Sequence, residues 1–142
     1  MEVERYRVLD VFVLYPELLG RMRMLKADRE ALRELPIARL QDMFIRLPSI
    51  ASVYQSLLIY QDSALTQLAA KGIVDPSCLK SGLINVVQSD MPSSMLSRAA
   101  DKNIDDGGVI EFVTGPIAEY PLKGSEGMFR RCGIPQRVVA LS

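Results

Sequence analysis

Between Leu57 and Gln88 the chain carries its own punctuation, and this limits the folds open to it. Ala64, Leu65, Leu68 and Ala69 recur at helical spacing, which gives one apolar face. Asp62 or Ser63 can accept from the first free N–H groups and cap a start there. Lys71 suits the negative end of the helix dipole, and Gly72 suits the left-handed residue that closes a helix. Asp75 before Pro76 starts a second, short helix, because proline in the first position gives up no needed donor. Gly82 ends it. Leu83 to Val87 is a short run rich in β-branched residues and predicts a strand. Helix, tight turn, short helix and strand form the skeleton of a winged-helix-like unit.

The flanks extend the helical pattern. Tyr6–Tyr15 is almost solidly apolar, so periodicity alone does not separate a buried helix from a buried strand. Leu9, Phe12 and Val13 form an i, i+3, i+4 set, which favours helix. Pro16 interrupts it, and Glu17–Lys26 is expected to continue as helix with Leu18, Leu19, Met22 and Leu25 inward. Asp28–Leu35 reads as a turn of helix or an ordered loop. Ile37, Leu40, Met43, Phe44 and Leu47 recur at helical spacing, and Ser49 can cap a further helix through Leu58. Pro92–Lys102 predicts a helix with Met95, Leu96 and Ala99 inward. Asn103 can cap another, with Asp105 and Asp106 at its positive end. That one carries Val109, Ile110, Phe112, Val113 and Ile117, and Pro116 should kink or divide it. Ser125 can cap a last helix, Glu126–Cys132, closed by Gly133. Val138–Leu141 is expected to pair with the Leu83–Val87 strand or with another chain, since a free apolar tail is a liability.

At 142 residues, 49% of them apolar, the chain has the material for one domain. Its parts are 1–48, a core over 49–122, and a basic tail over 123–142. Seventeen basic residues balance seventeen acidic ones, so no overall field draws in nucleic acid or an anionic membrane. The tail is locally basic, with four Lys/Arg against one Glu, and could touch phosphate or an acidic partner. There is no histidine. That removes the commonest general base, the commonest metal ligand and every Ser-His or Cys-His dyad. Cys78 and Cys132 stand alone, too few for a zinc site. The opening residues resemble no signal peptide, and no apolar run reaches the ~20 residues of a membrane span. A cytoplasmic protein with two free thiols is expected.

The short motifs are weak as chemistry. Gly124 and Gly127 have no preceding strand, Walker lysine or following Ser/Thr, so they do not make a phosphate loop. Asp105 and Asp106 point ~100° apart on a helix and do not converge on a metal. Thr66 and Gln67 could read base edges, yet Asp62–Lys71 holds one Lys and no Arg, too few cations for a groove reader. Arg130 and Arg131 beside Phe129 are the better nucleic-acid candidates by residue type.

Three stretches carry a family resemblance. They are Arg7-Val8-Leu9-Asp10-Val11-Phe12-Val13-Leu14-Tyr15-Pro16, Leu65–Val74 with Leu79-Lys80-Ser81-Gly82, and Met128-Phe129-Arg130-Arg131-Cys132-Gly133 after a Gly-rich turn. Together they resemble the small middle component of bacterial ABC-ATPase three-component systems, the group that includes Lamassu-type anti-phage and anti-plasmid defences. The resemblance implies a non-enzymatic adaptor between an SMC- or Rad50-like ATPase and an effector, often a nuclease. It implies no catalytic residue; no cofactor, metal, membrane or small-molecule substrate is expected, and DNA could be reached through the complex or the basic tail. The expected fold is mainly α: a compact helical domain with a winged-helix-like unit and a short β-hairpin or edge strand. The partner-binding candidates are Leu9, Phe12, Val13, Tyr15, Arg21, Arg23, Phe129, Arg130, Arg131, Val138, Val139 and Leu141. The alternative reading is a winged-helix DNA-binding transcription regulator. An enzyme ranks third, for want of acid–base and metal-ligating groups.

Overall fold

A computed structural model describes residues 1–37, 47–87, 93–94, 97–98, 101 and 108–135. It is mainly helical. Helix α1 (Val3–Leu14) buries Val8, Leu9, Val11 and Phe12. Pro16 fixes a backbone angle that α1 could only continue through at the cost of a hydrogen bond, so the chain turns there. It tightens into a 3-10 helix, Pro16–Arg21, with Leu18 and Leu19 inward. Met22 follows them into the core. Helix α2 (Lys26–Arg33) buries no residue fully, although Leu32 and Leu35 pack against the core.

Helix α3 (Ile50–Ala70) is the longest described element, at 21 residues. Ser49 caps it, its hydroxyl accepting from the Ser52 N–H at 3.1 Å. Helix α4 (Pro76–Lys80) follows, with Asp75 accepting from the Ser77 N–H at 2.9 Å. Helix α5 (Val109–Thr114) buries Val109, Phe112 and Val113. Gly115 and Pro116 divide it from a 3-10 turn, Ile117–Glu119, as the sequence predicts. Helix α6 (Met128–Cys132) closes at Gly133, whose φ of 71° is the left-handed geometry expected of that glycine.

One apolar cluster gathers side chains from Val8 to Ile134. Helix α1 is its spine, packing against α3, the Pro16–Arg21 turn, α5 and the Ile117–Glu119 turn. Tyr54 of α3 meets Phe129 of α6 edge to face, with ring centres 6.1 Å apart. Each side chain buried this fully contributes about 1.5–3 kcal/mol of transfer free energy.

Several expectations need correction. No helix begins at Asp62 or Ser63; both lie inside α3, because Ser49 nucleates one helix that runs through to Ala70. The segment after Pro16 does not reach Lys26 as one helix. It stops at Arg21, and Leu25 faces solvent at 57% exposure. The last helix starts at Met128 with Gly127, not Ser125, at its cap. A Cβ at Gly127 would lie 2.4 Å from the Lys123 carbonyl carbon, so only glycine permits that turn.

The Leu83–Val87 segment forms two isolated antiparallel bridges, Glu2↔Leu83 and Val74↔Val86, rather than a strand with a ladder. It runs between two other pieces of chain. The Val3 N–H donates to Gly82 O and the Ile84 N–H to Met1 O, at 2.8 and 2.7 Å. On the other side the Asp75 N–H donates to Asn85 O and the Val87 N–H to Ile73 O, at 3.0 and 2.7 Å. The described residues therefore hold a helix–turn–helix with a bridged return segment, and no β-hairpin. The Val138–Leu141 tail and the helix around Leu40–Phe44 lie outside the described residues. Asn103 does not cap the helix that carries Val109 and Phe112: that helix begins at Val109 with Gly108 at its cap. Of the Pro92–Lys102 helix, 93–94, 97–98 and 101 are described, and all are helical.

Candidate partner-docking surface

A polar hub ties the two ends of the chain together. The Tyr120 hydroxyl accepts from the Leu25 N–H at 2.9 Å and donates to Asp28 Oδ2 at 2.5 Å. This anchors the first turn of α2. Burial, then the bond to Asp28, raise the Tyr120 pKa above its ordinary value. The Arg131 guanidinium lies 4.5 Å from the centre of the Tyr120 ring, within cation–π range. It also donates to the Glu126 carbonyl at 2.8 Å, to the Glu126 carboxylate at 2.6 Å and to the Arg23 carbonyl at 3.1 Å. In return the Arg23 N–H donates to the Arg131 carbonyl at 3.0 Å.

This hub sorts the sequence candidates. Arg131 is 8% exposed and its donors are engaged inside the fold, so it leaves the partner-binding set. Leu9, Phe12 and Phe129 are core side chains, enclosed by the packing of α1 and α6. Val13 is half-buried against the same core. Arg21 donates to the carbonyls of Leu47 and Pro48 at 3.1 and 2.9 Å, holding the entry to α3. Val138, Val139 and Leu141 lie outside the described residues. Tyr15, Arg23 and Arg130 remain exposed. The backbone pairing of Arg23 with Arg131 brings Arg23 and Arg130 to one joint, with exposed Leu25 two residues on. Residues 107 positions apart in the sequence thus meet at one backbone joint, with exposed cationic side chains on both strands of it.

A second surface was missed from the sequence. Ile59 and Tyr60 on α3 are 73% and 71% exposed, the most exposed of the large apolar side chains among the described residues. They sit in the run Leu57-Leu58-Ile59-Tyr60, which looks uniformly core-like. The signal was available in the geometry of one continuous helix. Gln61 is 3% exposed, and a step back of two residues turns about 200° to the opposite face.

The seam between α1 and α3 is polar. Buried Gln61 donates to Asp10 Oδ2 at 3.0 Å and to the Arg7 carbonyl at 3.3 Å. Arg7 pairs with Asp62. Below the seam, Val3, Glu4, Arg7, Asp62, Leu65 and Lys80 help line an open cleft of about 350 Å³. Its charges are of both signs, and two of them are already paired across the seam. Among the described residues, no three His, Cys, Asp or Glu side chains gather as a metal site. Cys132 and Cys78 are free thiols, and burial pushes the Cys132 pKa from 9.0 to about 12. No helix among the described residues is long and apolar enough to cross a membrane.

No curated protein and no solved structure matches this chain. A family does match, over residues 1–136. With nearly the whole sequence covered, the chain belongs to the family described as ABC-three component (ABC-3C) system Middle Component 5.

Proposed function

We propose that the chain is a non-enzymatic adaptor that joins an SMC- or Rad50-like ABC ATPase to an effector. In the Lamassu-type arrangement that effector is a nuclease, and the complex acts in the bacterial cytoplasm against phage or plasmid DNA. Membership in a three-component family supports a role among partner proteins. The observation that carries the docking side of this reading is the Arg23–Arg130 joint. Its backbone is tied in place by Tyr120 and Arg131, so docking has only the exposed side chains left to order. A partner with an acidic, apolar-centred surface fits it.

The transcription-regulator reading is weaker. From Ile50 to Ala70, α3 carries no Lys or Arg, whereas a groove-reading helix gains much of its affinity from phosphate contacts.

The test is co-expression of the tagged chain with the ATPase and effector genes of the same system. Both partners should co-purify with it. Arg23→Glu combined with Arg130→Glu should weaken recovery of one partner about tenfold, equivalent to about 1.4 kcal/mol, with an unchanged circular dichroism spectrum. Recovery of neither partner by the parent chain would refute the adaptor role.

A further inference from the structure

We propose that Arg5 is a positioning residue for the joint between Arg23 and Arg131, and that it acts through residues 117–122. Its effect on partner binding rests on the adaptor reading; its effect on the joint does not.

Both sides of the joint hang from residues 120–122. On the α2 side the Tyr120 hydroxyl holds the Leu25 N–H and the Asp28 carboxylate. On the α6 side the Pro121 carbonyl accepts from the Met128 N–H at 2.6 Å, and the Leu122 carbonyl accepts from the Phe129 N–H at 3.4 Å. Met128 and Phe129 open α6, where backbone N–H groups have no acceptor inside the helix. The place of residues 120–122 therefore sets where Arg23 and Arg130 stand.

Those residues are weakly held by their own turn. The Ile117–Glu119 3-10 turn closes with long bonds, from the Glu119 N–H to Pro116 O at 3.4 Å and from the Tyr120 N–H to Ile117 O at 3.3 Å. Pro121 has no N–H to add. Arg5, near the start of α1, supplies the stronger tie. Its Nη1 donates to the Ala118 carbonyl at 2.7 Å and to the Tyr120 carbonyl at 2.6 Å. Bonds from a charged donor are roughly twice as strong as neutral ones. Glu2 accepts from the other edge of the guanidinium, from Nε at 3.3 Å and Nη2 at 3.1 Å, and so aims the fork at the turn. The Arg5 side chain is 15% exposed, which leaves little room for water to compete. Since α1 is the spine of the core, Arg5 fixes the joint to the most enclosed part of the fold.

Hydrogen exchange of the full chain tests this. Three amides report on the joint: Arg23, Leu25 and Met128. In Arg5→Met, which keeps the length of the side chain and removes the donors, their protection should fall about tenfold or more relative to that of Tyr54, a buried residue of α3. If Arg5→Met does not fold by circular dichroism, Arg5→Lys replaces it. Lysine lacks the planar fork that grips both carbonyls, and the fall should be about threefold. The positioning role is overturned if the three amides keep their protection relative to Tyr54, whether all four stay at the parental level or all four fall together. In co-expression, the same variant should also lower recovery of whichever partner is lost by Arg23→Glu with Arg130→Glu. Undiminished recovery of that partner would overturn the effect on docking. Recovery of no partner by the parent chain would refute the adaptor reading alone, and the exchange result would still decide the role of Arg5.

Discussion

Helices α1 and α3 are both rich in apolar residues and behave differently. Helix α1 carries four charged residues in twelve and α3 one in twenty-one. Of twelve residues in α1, four are buried and Val13 is packed behind them. Of twenty-one in α3, five are buried, one of them a glutamine. The cause is position. Helix α1 has neighbours on several sides: α3, α5 and two 3-10 turns. Helix α3 leans on α1 along one side and leaves its opposite face in solvent. Apolar content therefore marks core in α1, and both core and exposed surface in α3. Burial depends on how many neighbours an element has, which composition does not report.

That contrast can be broken by substitution, starting with the largest effect. Phe12→Ala in α1 should cost about 3–5 kcal/mol, because it empties a fully enclosed site. Urea unfolding measures it, and a cost below about 1 kcal/mol would show that α1 is not the spine. Tyr120→Phe should cost about 1–3 kcal/mol by leaving the Leu25 N–H and the Asp28 carboxylate without their partner. Hydrogen exchange of the same variant should show earlier amide exchange at α2 than at α1.

Cys132 gives a pH test of how closed the α6 side is. The fold favours its protonated thiol, so that contribution is complete below pH 9 and is lost as the pH rises through about 12. Iodoacetamide at neutral pH should leave Cys132 unmodified until the protein unfolds, and labelling at the rate of a free thiol would contradict the burial. The smallest effect belongs to Ile59→Ser, which should change stability by no more than ~0.5 kcal/mol in dilute solution. A loss as large as that of Phe12→Ala would erase the difference between the two helices.

The local rules were legible where a residue acts on its own neighbours. Ser49 and Asp75 cap, Pro76 starts a helix, and Gly72, Gly82 and Gly133 adopt left-handed geometry, with φ of 75°, 80° and 71°. Each follows from backbone sterics within one turn. Reading failed where two local signals competed. Asp62 has the chemistry of a cap, but the helix already begun at Ser49 supplies its N–H groups with partners, and Arg7 takes its carboxylate instead. Leu25 fits an inward spacing that would hold only if the helix after Pro16 had continued. Leu9, Phe12 and Phe129, named as partner-binding candidates, are enclosed by the core, while Ile59 and Tyr60, which no local signal singles out, are exposed.

By itself the sequence determined a mainly helical chain, its caps and breaks, and an inventory without histidine. These depend on steric and hydrogen-bonding preferences that act over a few residues. Tertiary structure alone decided that Arg131 faces inward onto Tyr120, that Arg23 and Arg130 share a joint, and that one face of α3 stays open. Those outcomes depend on which distant segments come to lie side by side. That is a matter of packing many elements at once, and no single stretch of the chain encodes it.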